Sequence, residues 1–170
     1  VSIAESFGAR VVYCATQRNV FAARNCGALA SHGEIIAQAD ADTVYPRDWL
    51  SRIAGHFSEP KVVAVAGTFV YRRPVRWSGT EVFLRHLMNI ICLRVIGRPS
   101  VISGANFAFR KAAFEKTQGY STELYAPDQY GLATQLCRLG KVEYDKTLTV
   151  ATSSRRRVES PLLLILFWRN

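Results

Sequence analysis

The sequence is poor in acidic residues and in cysteine, and it has no long hydrophobic run. Only 13 Asp and Glu stand against 22 Lys and Arg, so the formal net charge is +9. This excess indicates an anionic partner, which could be nucleic acid, a phosphorylated small molecule or an anionic membrane surface. A merely basic, solvated surface is the alternative. Motifs of the RRM, KH and zinc-finger kinds are absent and the arginines are dispersed, so we expect no nucleic-acid partner.

The cysteines are few and scattered. Cys14, Cys26, Cys92 and Cys137 form no CxxC pair and no Cys/His cluster with zinc-ligand spacing. This spacing argues against a structural zinc site. We therefore expect four reduced, mostly buried thiols and a cytoplasmic protein, with the inner face of the membrane as a second possible location.

Two stretches are apolar enough to suggest contact with a membrane. The run at 161–168 is strongly apolar but only about half as long as a membrane span. The stretch at 80–96 has the length of a helix and is apolar around much of its circumference. We expect it to be buried in the core or to lie against a membrane.

Hydrophobic spacing predicts alternating strands and helices along the chain. We expect strands or extended segments at 10–13, 35–39, 61–66, 101–109 and 142–150. We expect helices at 19–31, from Pro46 onward, and at 80–96, 110–117 and 129–139. Gly67 should close the third strand. This alternation is typical of an α/β domain with a mostly parallel sheet flanked by helices.

An acid pair follows the apolar strand at 35–39. Asp40 and Asp42 are two residues apart, and in an extended segment such residues point to the same side. Ligands of α/β sheets bind beyond the carboxyl ends of strands. A divalent cation would remove the repulsion between the two carboxylates and would bind a diphosphate. We therefore predict a metal site here, with an Asp-rich turn as the alternative.

The surroundings of the acid pair resemble a known family. Residues 23–46 read ARNCGALASHGEIIAQADADTVYP. This block is similar to the ARN-x-G, A-x-G-[ED], hydrophobic strand and D-A-D pattern of family 2 glycosyltransferases. Pro46 with Trp49-Leu50 resembles the family's P-x-W-L, SGANFAFR at 103–110 its G-x-N segment, and DQYGLATQLCRLG at 128–140 its E-D helix.

The resemblance implies a fold, a reaction and partners. The fold would be GT-A, a Rossmann-like, mostly parallel sheet flanked by helices. The reaction would transfer a sugar, with inversion, from a nucleotide-diphospho-sugar to a hydroxyl of a sugar or lipid-linked acceptor in polysaccharide or glycolipid synthesis. Mg²⁺ or Mn²⁺ would be the cofactor.

The resemblance also implies a domain division. The family's first nucleotide-binding strand has no counterpart, so we expect 1–157 to be a partial catalytic domain from an N-terminally truncated fragment. Residues 158–170 would be a separate apolar segment at the start of a membrane-associated region.

Site roles follow from the same match, residue by residue. The metal ligands would be Asp40 and Asp42. Donor binding would fall to Arg24, Asn25, Asp40, Arg155 and Arg156, and acceptor binding to Gly104, Ala105 and Asn106. Arg24 would contact the donor phosphate or the site carboxylates, and a surface position, paired with Glu34 or solvated, is the alternative. A cap or a loop tie is the alternative for Asn25. The arginines at 155–156 could equally flank the apolar segment on the cytoplasmic side.

The catalytic base departs from the family pattern. The register of the helix places Asp128 on the family's Glu and Gln129 on its catalytic Asp. A glutamine cannot accept a proton as a general base. We assign the base to Asp128, for which a helix N-cap is the alternative role. The alternative function is a degenerate module that binds without catalysis.

Overall fold

The computed structural model describes residues 1–14, 19–74, 77–99, 102–121 and 128–154, side chains at 128–130 excepted. The helices are α1 (Ser2–Ser6), α2 (Val20–Ala30), α3 (Trp49–His56), α4 (Ser78–Ile96), α5 (Lys111–Phe114) and α6 (Asp128–Cys137). The strands are β1 (Ile35–Gln38), β2 (Thr43–Val44), β3 (Val62–Tyr71), β4 (Phe107–Arg110) and β5 (Lys141–Thr152). They form one sheet in the order β1-β4-β3-β5-β2.

The sheet is mixed, so the prediction of a mostly parallel sheet is wrong. β3 and β5 are parallel, whereas β4 runs antiparallel to both β1 and β3, and β2 runs antiparallel to β5. β4 follows α4 and enters between two strands that run the opposite way. Hydrophobic spacing marks a buried strand but carries no information on its direction.

Helix α2 shows how the sequence starts an element. The side chain of Asn19 accepts a hydrogen bond from the amide of Ala22 at 2.7 Å, which satisfies one of the free amides of the first turn. The predicted helix at 19–31 is thereby confirmed. The predicted strand at 10–13 is wrong, because these residues pair with no strand and are largely exposed.

Two further boundaries differ from the predictions. Helix α3 begins at Trp49 and not at Pro46, because the amide of Trp49 first closes a turn onto the carbonyl of Pro46 at 3.1 Å. Strand β3 does not end at Gly67 but continues to Tyr71. Its second half pairs with the end of β5.

The cysteines differ from the expected four thiols. Cys14 and Cys26 form a disulfide, with their Cα atoms 6.1 Å apart. Cys92 and Cys137 are free and half-buried. The prediction of reduced thiols is therefore wrong for the first pair. Spacing alone did not reveal it, because the chain that precedes α2 folds back onto that helix.

Apolar residues fill both faces of the sheet. On one face, Trp49 and Ile53 of α3, with Phe57 just after it, pack on β3 and β5. On the other face, Leu132 and Leu136 of α6 pack against residues of β3, β4 and α5. The sheet is thus covered on both sides, as expected for an α/β domain.

The pairing of β3 with β5 is interrupted beside Gly67. Gly67 pairs with Asp145, but the next residue, Thr68, pairs with Thr149, so three residues of β5 lie outside the ladder. The side-chain amide of Asn106 fills this gap by donating to the carbonyls of Thr68 (2.8 Å) and Leu148 (2.7 Å). Unpaired buried carbonyls are costly, so this amide makes the interruption tolerable.

A charged network joins α3 to β5. His56 lies between two carboxylates, with Nδ1 2.6 Å from Glu143 and Nε2 3.1 Å from Asp145. Burial raises the pKa of Asp145, but hydrogen bonds from the side chain and amide of Thr147 and from His56 outweigh it and lower the pKa to about 2. The folded state therefore favours the charged form of Asp145.

Acid should weaken this network. Because the pKa of Asp145 is lowered to about 2 from 3.8, its stabilising effect is complete well above pH 4 and is lost as the pH falls towards 2. We expect Asp145→Asn to lower the free energy of unfolding by about 2 kcal/mol at pH 6 and by about half as much at pH 3. Urea unfolding of both proteins at the two pH values measures this. An equal difference at both would contradict the assignment.

Candidate active site

The acid pair lies in a turn at the end of β1. The amide of Thr43 donates to the carbonyl of Asp40 at 3.2 Å, which closes a four-residue turn. The prediction that Asp40 and Asp42 share one side of an extended segment is therefore wrong. The turn is needed because β2, which starts at Thr43, pairs with β5 at the far edge of the sheet. Both aspartates are half-buried.

Arg24 of α2 faces this turn. Its guanidinium lies 3.2 Å from Oδ1 of Asp40, and 15% of the Arg24 side chain is exposed against 39% of the Asp40 side chain. The pairing with Glu34 that the sequence left open is not the one observed. Arg24 thus brings one positive charge to the acid turn, and its binding of a donor stays a prediction.

Tyr45 connects the acid turn to the rest of the domain. Its hydroxyl accepts a hydrogen bond from the amide of Asp40 at 2.7 Å and donates to the carbonyl of Ala105 at 3.0 Å. Burial, reinforced by the charges of Asp40 and Asp42, raises the pKa of Tyr45 above its usual 10.0. The phenol therefore stays protonated and can donate. It joins the acid turn to the segment that precedes β4.

Trp49 connects Tyr45 to the centre of the sheet. The two rings lie 4.3 Å apart between centroids. The indole Nε1 donates to Oδ1 of Asn106 at 2.9 Å. Asn106 is the residue whose amide fills the gap beside Gly67. A continuous set of contacts thus runs from the interrupted ladder through Asn106, Trp49 and Tyr45 to the acid turn.

The predicted acceptor residues lie next to the acid turn but are buried. Gly104, Ala105 and Asn106 have little or no exposed surface. Both amide hydrogens of Asn106 are donated to carbonyls and its oxygen accepts from Trp49. Its side chain therefore supports the site from inside, and acceptor binding by this segment stays a prediction.

Asn25 ties α2 to the turn at Gly119. Its side chain donates to the carbonyl of Tyr120 and accepts from the amide of Tyr120, both at 2.8 Å. Gly119 has φ +70°, and a Cβ there would lie 2.5 Å from Oδ1 of Asn25, so glycine is required on both counts. The loop tie left open by the sequence is observed, and donor binding by Asn25 stays a prediction.

The end of β5 lies against the acid turn. Thr43 and Thr152 are paired across the β2–β5 ladder, and their hydroxyls are 3.1 Å apart. The basic stretch follows Thr152 within a few residues. Arg155 and Arg156 themselves lie outside the described residues. Asp128 is the first residue of α6, and its side chain also lies outside them.

Residues 1–118 match the family model described as glycosyl transferase family 2. The chain belongs to glycosyl transferase family 2. The match takes in the acid turn, its support and β4. No curated protein sequence matches the chain.

Solved structures share the fold, which is GT-A with a mixed sheet. A mannosyltransferase from Pyrobaculum calidifontis, in complex with GDP-Man and Mn²⁺, is 23% identical with a TM-score of 0.59, over 83% of this chain and 38% of that one. Glucosyl-3-phosphoglycerate synthase from Mycobacterium tuberculosis, in complex with Mn²⁺, UDP-glucose and glycerol 3-phosphate, is 18% identical with a TM-score of 0.61, over 95% and 57%. A mycobacterial protein is 22% identical with a TM-score of 0.55, over 88% and 49%. This family 2 chain therefore spans between 38% and 57% of the length of these three structures.

The acid turn of this family 2 chain fits a hard divalent cation. No group of three His, Cys, Asp or Glu side chains with metal-site geometry occurs among the described residues. Two carboxylates are what Mg²⁺ typically takes from a protein when phosphates and water complete its shell. The donor set at Asp40 and Asp42 is therefore compatible with a cation that arrives with a diphosphate.

Sequence reasoning missed the residues that support the site. Tyr45 and Trp49 are four residues apart, a spacing that could have indicated a ring contact, but the sequence analysis did not identify Tyr45 as a site residue. Gln38 was also missed. Its side chain donates to the carbonyl of Gly104 and accepts from the hydroxyl of Tyr120. Such long-range pairs leave no signal in local spacing.

Loss of the Asn106 side chain should destabilise the domain. Asn106→Ala leaves the carbonyls of Thr68 and Leu148 without their donor, and we expect the free energy of unfolding to fall by about 2–4 kcal/mol. Trp49→Phe removes only the indole donor and some ring area, and should cost about 1–2 kcal/mol. Urea unfolding of both variants measures the difference. Equal, small losses would show that Asn106 does not hold the ladder.

Proposed function

We propose that the chain carries the donor site of an inverting glycosyltransferase, with a divalent cation at Asp40 and Asp42. The observation that supports this most directly is the acid turn. Two half-buried aspartates stand at the end of a strand, with Arg24 in contact with one of them. The hydroxyl of half-buried Tyr45 holds the amide of Asp40, and its ring lies against buried Trp49.

The donor is a nucleotide-diphospho-sugar. The structural relatives were solved with GDP-Man and with UDP-glucose, each together with Mn²⁺. In this chain Asp40 and Asp42 would hold Mg²⁺ or Mn²⁺, which when bound would neutralise charge on the departing diphosphate. Arg24 supplies a further positive charge at the turn. Thr152 contacts Thr43 at the end of the turn, and Arg155 and Arg156 follow Thr152 closely in the sequence, which supports a diphosphate role for them.

The chain's own base acts on the acceptor. Asp128 removes the proton from the acceptor hydroxyl as the oxygen attacks the anomeric carbon from the side opposite the leaving diphosphate, which inverts the configuration. The acceptor is a sugar or a lipid-linked sugar that enters beside the segment of Gly104 and Ala105. This segment is attached to the acid turn through Tyr45. A location at the inner face of the membrane stays a prediction of the sequence.

A second candidate function is a module that binds a nucleotide-sugar without transferring it. Gln129 favours this candidate, because it stands where the family pattern has its catalytic carboxylate. The two candidates share the donor site and differ only in the presence of a base.

Removal of one carboxylate should abolish sugar transfer. We expect Asp42→Asn, in the full-length protein that carries this sequence, to lower the Mn²⁺-dependent release of nucleoside diphosphate from a panel of nucleotide-sugars at least about a hundredfold. Asp48→Asn is the matched control, because Asp48 is an exposed acid of the same segment whose side chain caps nothing. Equal activity in the two variants would contradict the metal site.

The base can be tested apart from the donor site. We expect Asp128→Asn to lower the transfer rate by about a hundred- to ten-thousand-fold while nucleotide binding is unchanged. Gln129→Asp is the companion variant and should leave the rate about the same. A rise in the rate for Gln129→Asp with no loss for Asp128→Asn would move the base to position 129. A wild type that binds nucleotide but transfers nothing would favour the binding module.

A further inference from the structure

Helix α4 buries three polar side chains and exposes most of its large apolar ones. The side chains that face the domain include Ser78, Glu81 and Asn89, all buried. The hydroxyl of Tyr71 donates to Glu81 at 3.0 Å, and Arg85 pairs with the same carboxylate at 3.0 Å. A surface helix of a soluble domain normally turns its apolar face inward. The polar contacts of α4 therefore fix an orientation that leaves the apolar side outward.

The outer face of α4 is mostly apolar from Phe83 to Val95. We define this outer face by six residues whose exposed fractions lie between 39% and 75%. They are Phe83, Leu84, Leu87, Met88, Ile91 and Val95. Their spacing places them on one side of a helix of 19 residues, which is about 28 Å long. A continuous apolar patch of this kind marks a surface that binds something.

The exposed charges on α4 and in the segment before it are positive. Arg94 lies between Ile91 and Val95 on the outer face and is exposed. Arg72 and Arg73, just before the helix, are also exposed. The one acidic residue of α4, Glu81, is turned inward and paired. Trp77 stands at the N-terminal end of the helix and is partly exposed. Apolar residues bordered by arginine and tryptophan are typical of a helix that lies in a bilayer interface.

The helix suits a position on a bilayer and not across it. In the part of the chain that the structure describes, no helix is long and apolar enough to cross a membrane. The buried polar side of α4 remains against the sheet, so only its outer face is available for lipid.

We propose that the outer face of α4 docks on an anionic phospholipid surface. The apolar side chains enter the interface while Arg72, Arg73 and Arg94 contact lipid phosphates. If two copies of this face packed together, Arg94 of each copy would meet either Arg94 or apolar residues of the other copy, and no acidic residue would face it. Charge therefore favours lipid over a second copy. The proposal rests on α4 and the two arginines that precede it, and it holds whether or not the chain transfers sugar.

Vesicle flotation of the full chain tests the proposal. The vesicles are phosphatidylcholine alone, or phosphatidylcholine with one-third phosphatidylglycerol. We expect binding to the anionic vesicles that is weakened at least about tenfold by Leu87→Gln with Ile91→Gln, because two aliphatic side chains lose their burial in lipid. Arg94→Gln should weaken binding about fivefold on anionic vesicles and should leave binding to neutral vesicles unchanged.

The matched control variant has the same kind of substitution, aliphatic to glutamine, at two exposed positions outside α4. Leu50→Gln with Leu139→Gln replaces two exposed leucines outside α4 and should leave binding unchanged. Thermal unfolding shows whether each variant is folded. Since the outer face is exposed in the free protein, the α4 variant should melt at the wild-type temperature or above.

Three outcomes would overturn the proposal. Equal vesicle binding by wild type and the α4 variant would assign lipid binding to another segment, such as 158–170. A lower melting temperature of the α4 variant, with binding unchanged, would show that another part of the chain covers the face. A wild-type dimer in light scattering that the α4 variant dissociates, again with binding unchanged, would make the occupant a second copy.

Discussion

The structure depends on one buried amide, that of Asn106. It donates to two carbonyls that the interrupted β3–β5 ladder leaves without partners, and it accepts from the indole of Trp49. Gly67 must stay without a side chain, because a Cβ would clash with the Asn106 amide and with the carbonyl of Leu148. A single residue therefore joins β3, β4, β5 and α3. The acid turn is connected to this residue through Trp49 and Tyr45, in addition to its contacts with Arg24 and with Thr152.

In this arrangement the residues that support the turn differ from the carboxylates that would bind a ligand. Trp49 and Asn106 are buried and hydrogen-bonded to each other, whereas Tyr45, Asp40 and Asp42 are half-buried. A preorganised site of this kind does not have to rearrange when charge develops on a ligand. Helix α4 is built on the opposite plan, with its polar contacts inward and its apolar face outward. The two features lie on different elements and are held by different contacts.

The sequence predicted the family, the GT-A fold and most helices, because several motif residues occur at coupled spacings and the apolar residues of α2 and α3 recur at helical spacing. It did not predict strand direction, since the antiparallel entry of β4 depends on the path of the chain after α4. The acid turn was misjudged as extended because the pairing of Thr43 with Thr152 joins residues far apart in sequence. The roles of Gln38 and Tyr45 were missed for the same reason, and the disulfide of Cys14 and Cys26 was missed because the chain that precedes α2 folds back onto that helix.

The central claim is that the acid turn holds a cation together with a nucleoside diphosphate. Its most direct test is isothermal titration of UDP and GDP into the full-length protein that carries this sequence, with and without Mn²⁺, beside Asp42→Ala. The account predicts binding that requires Mn²⁺ and disappears in the variant. Binding that is alike in wild type and variant, or no binding of either nucleotide, would contradict it and would leave Asp40 and Asp42 as part of a turn alone.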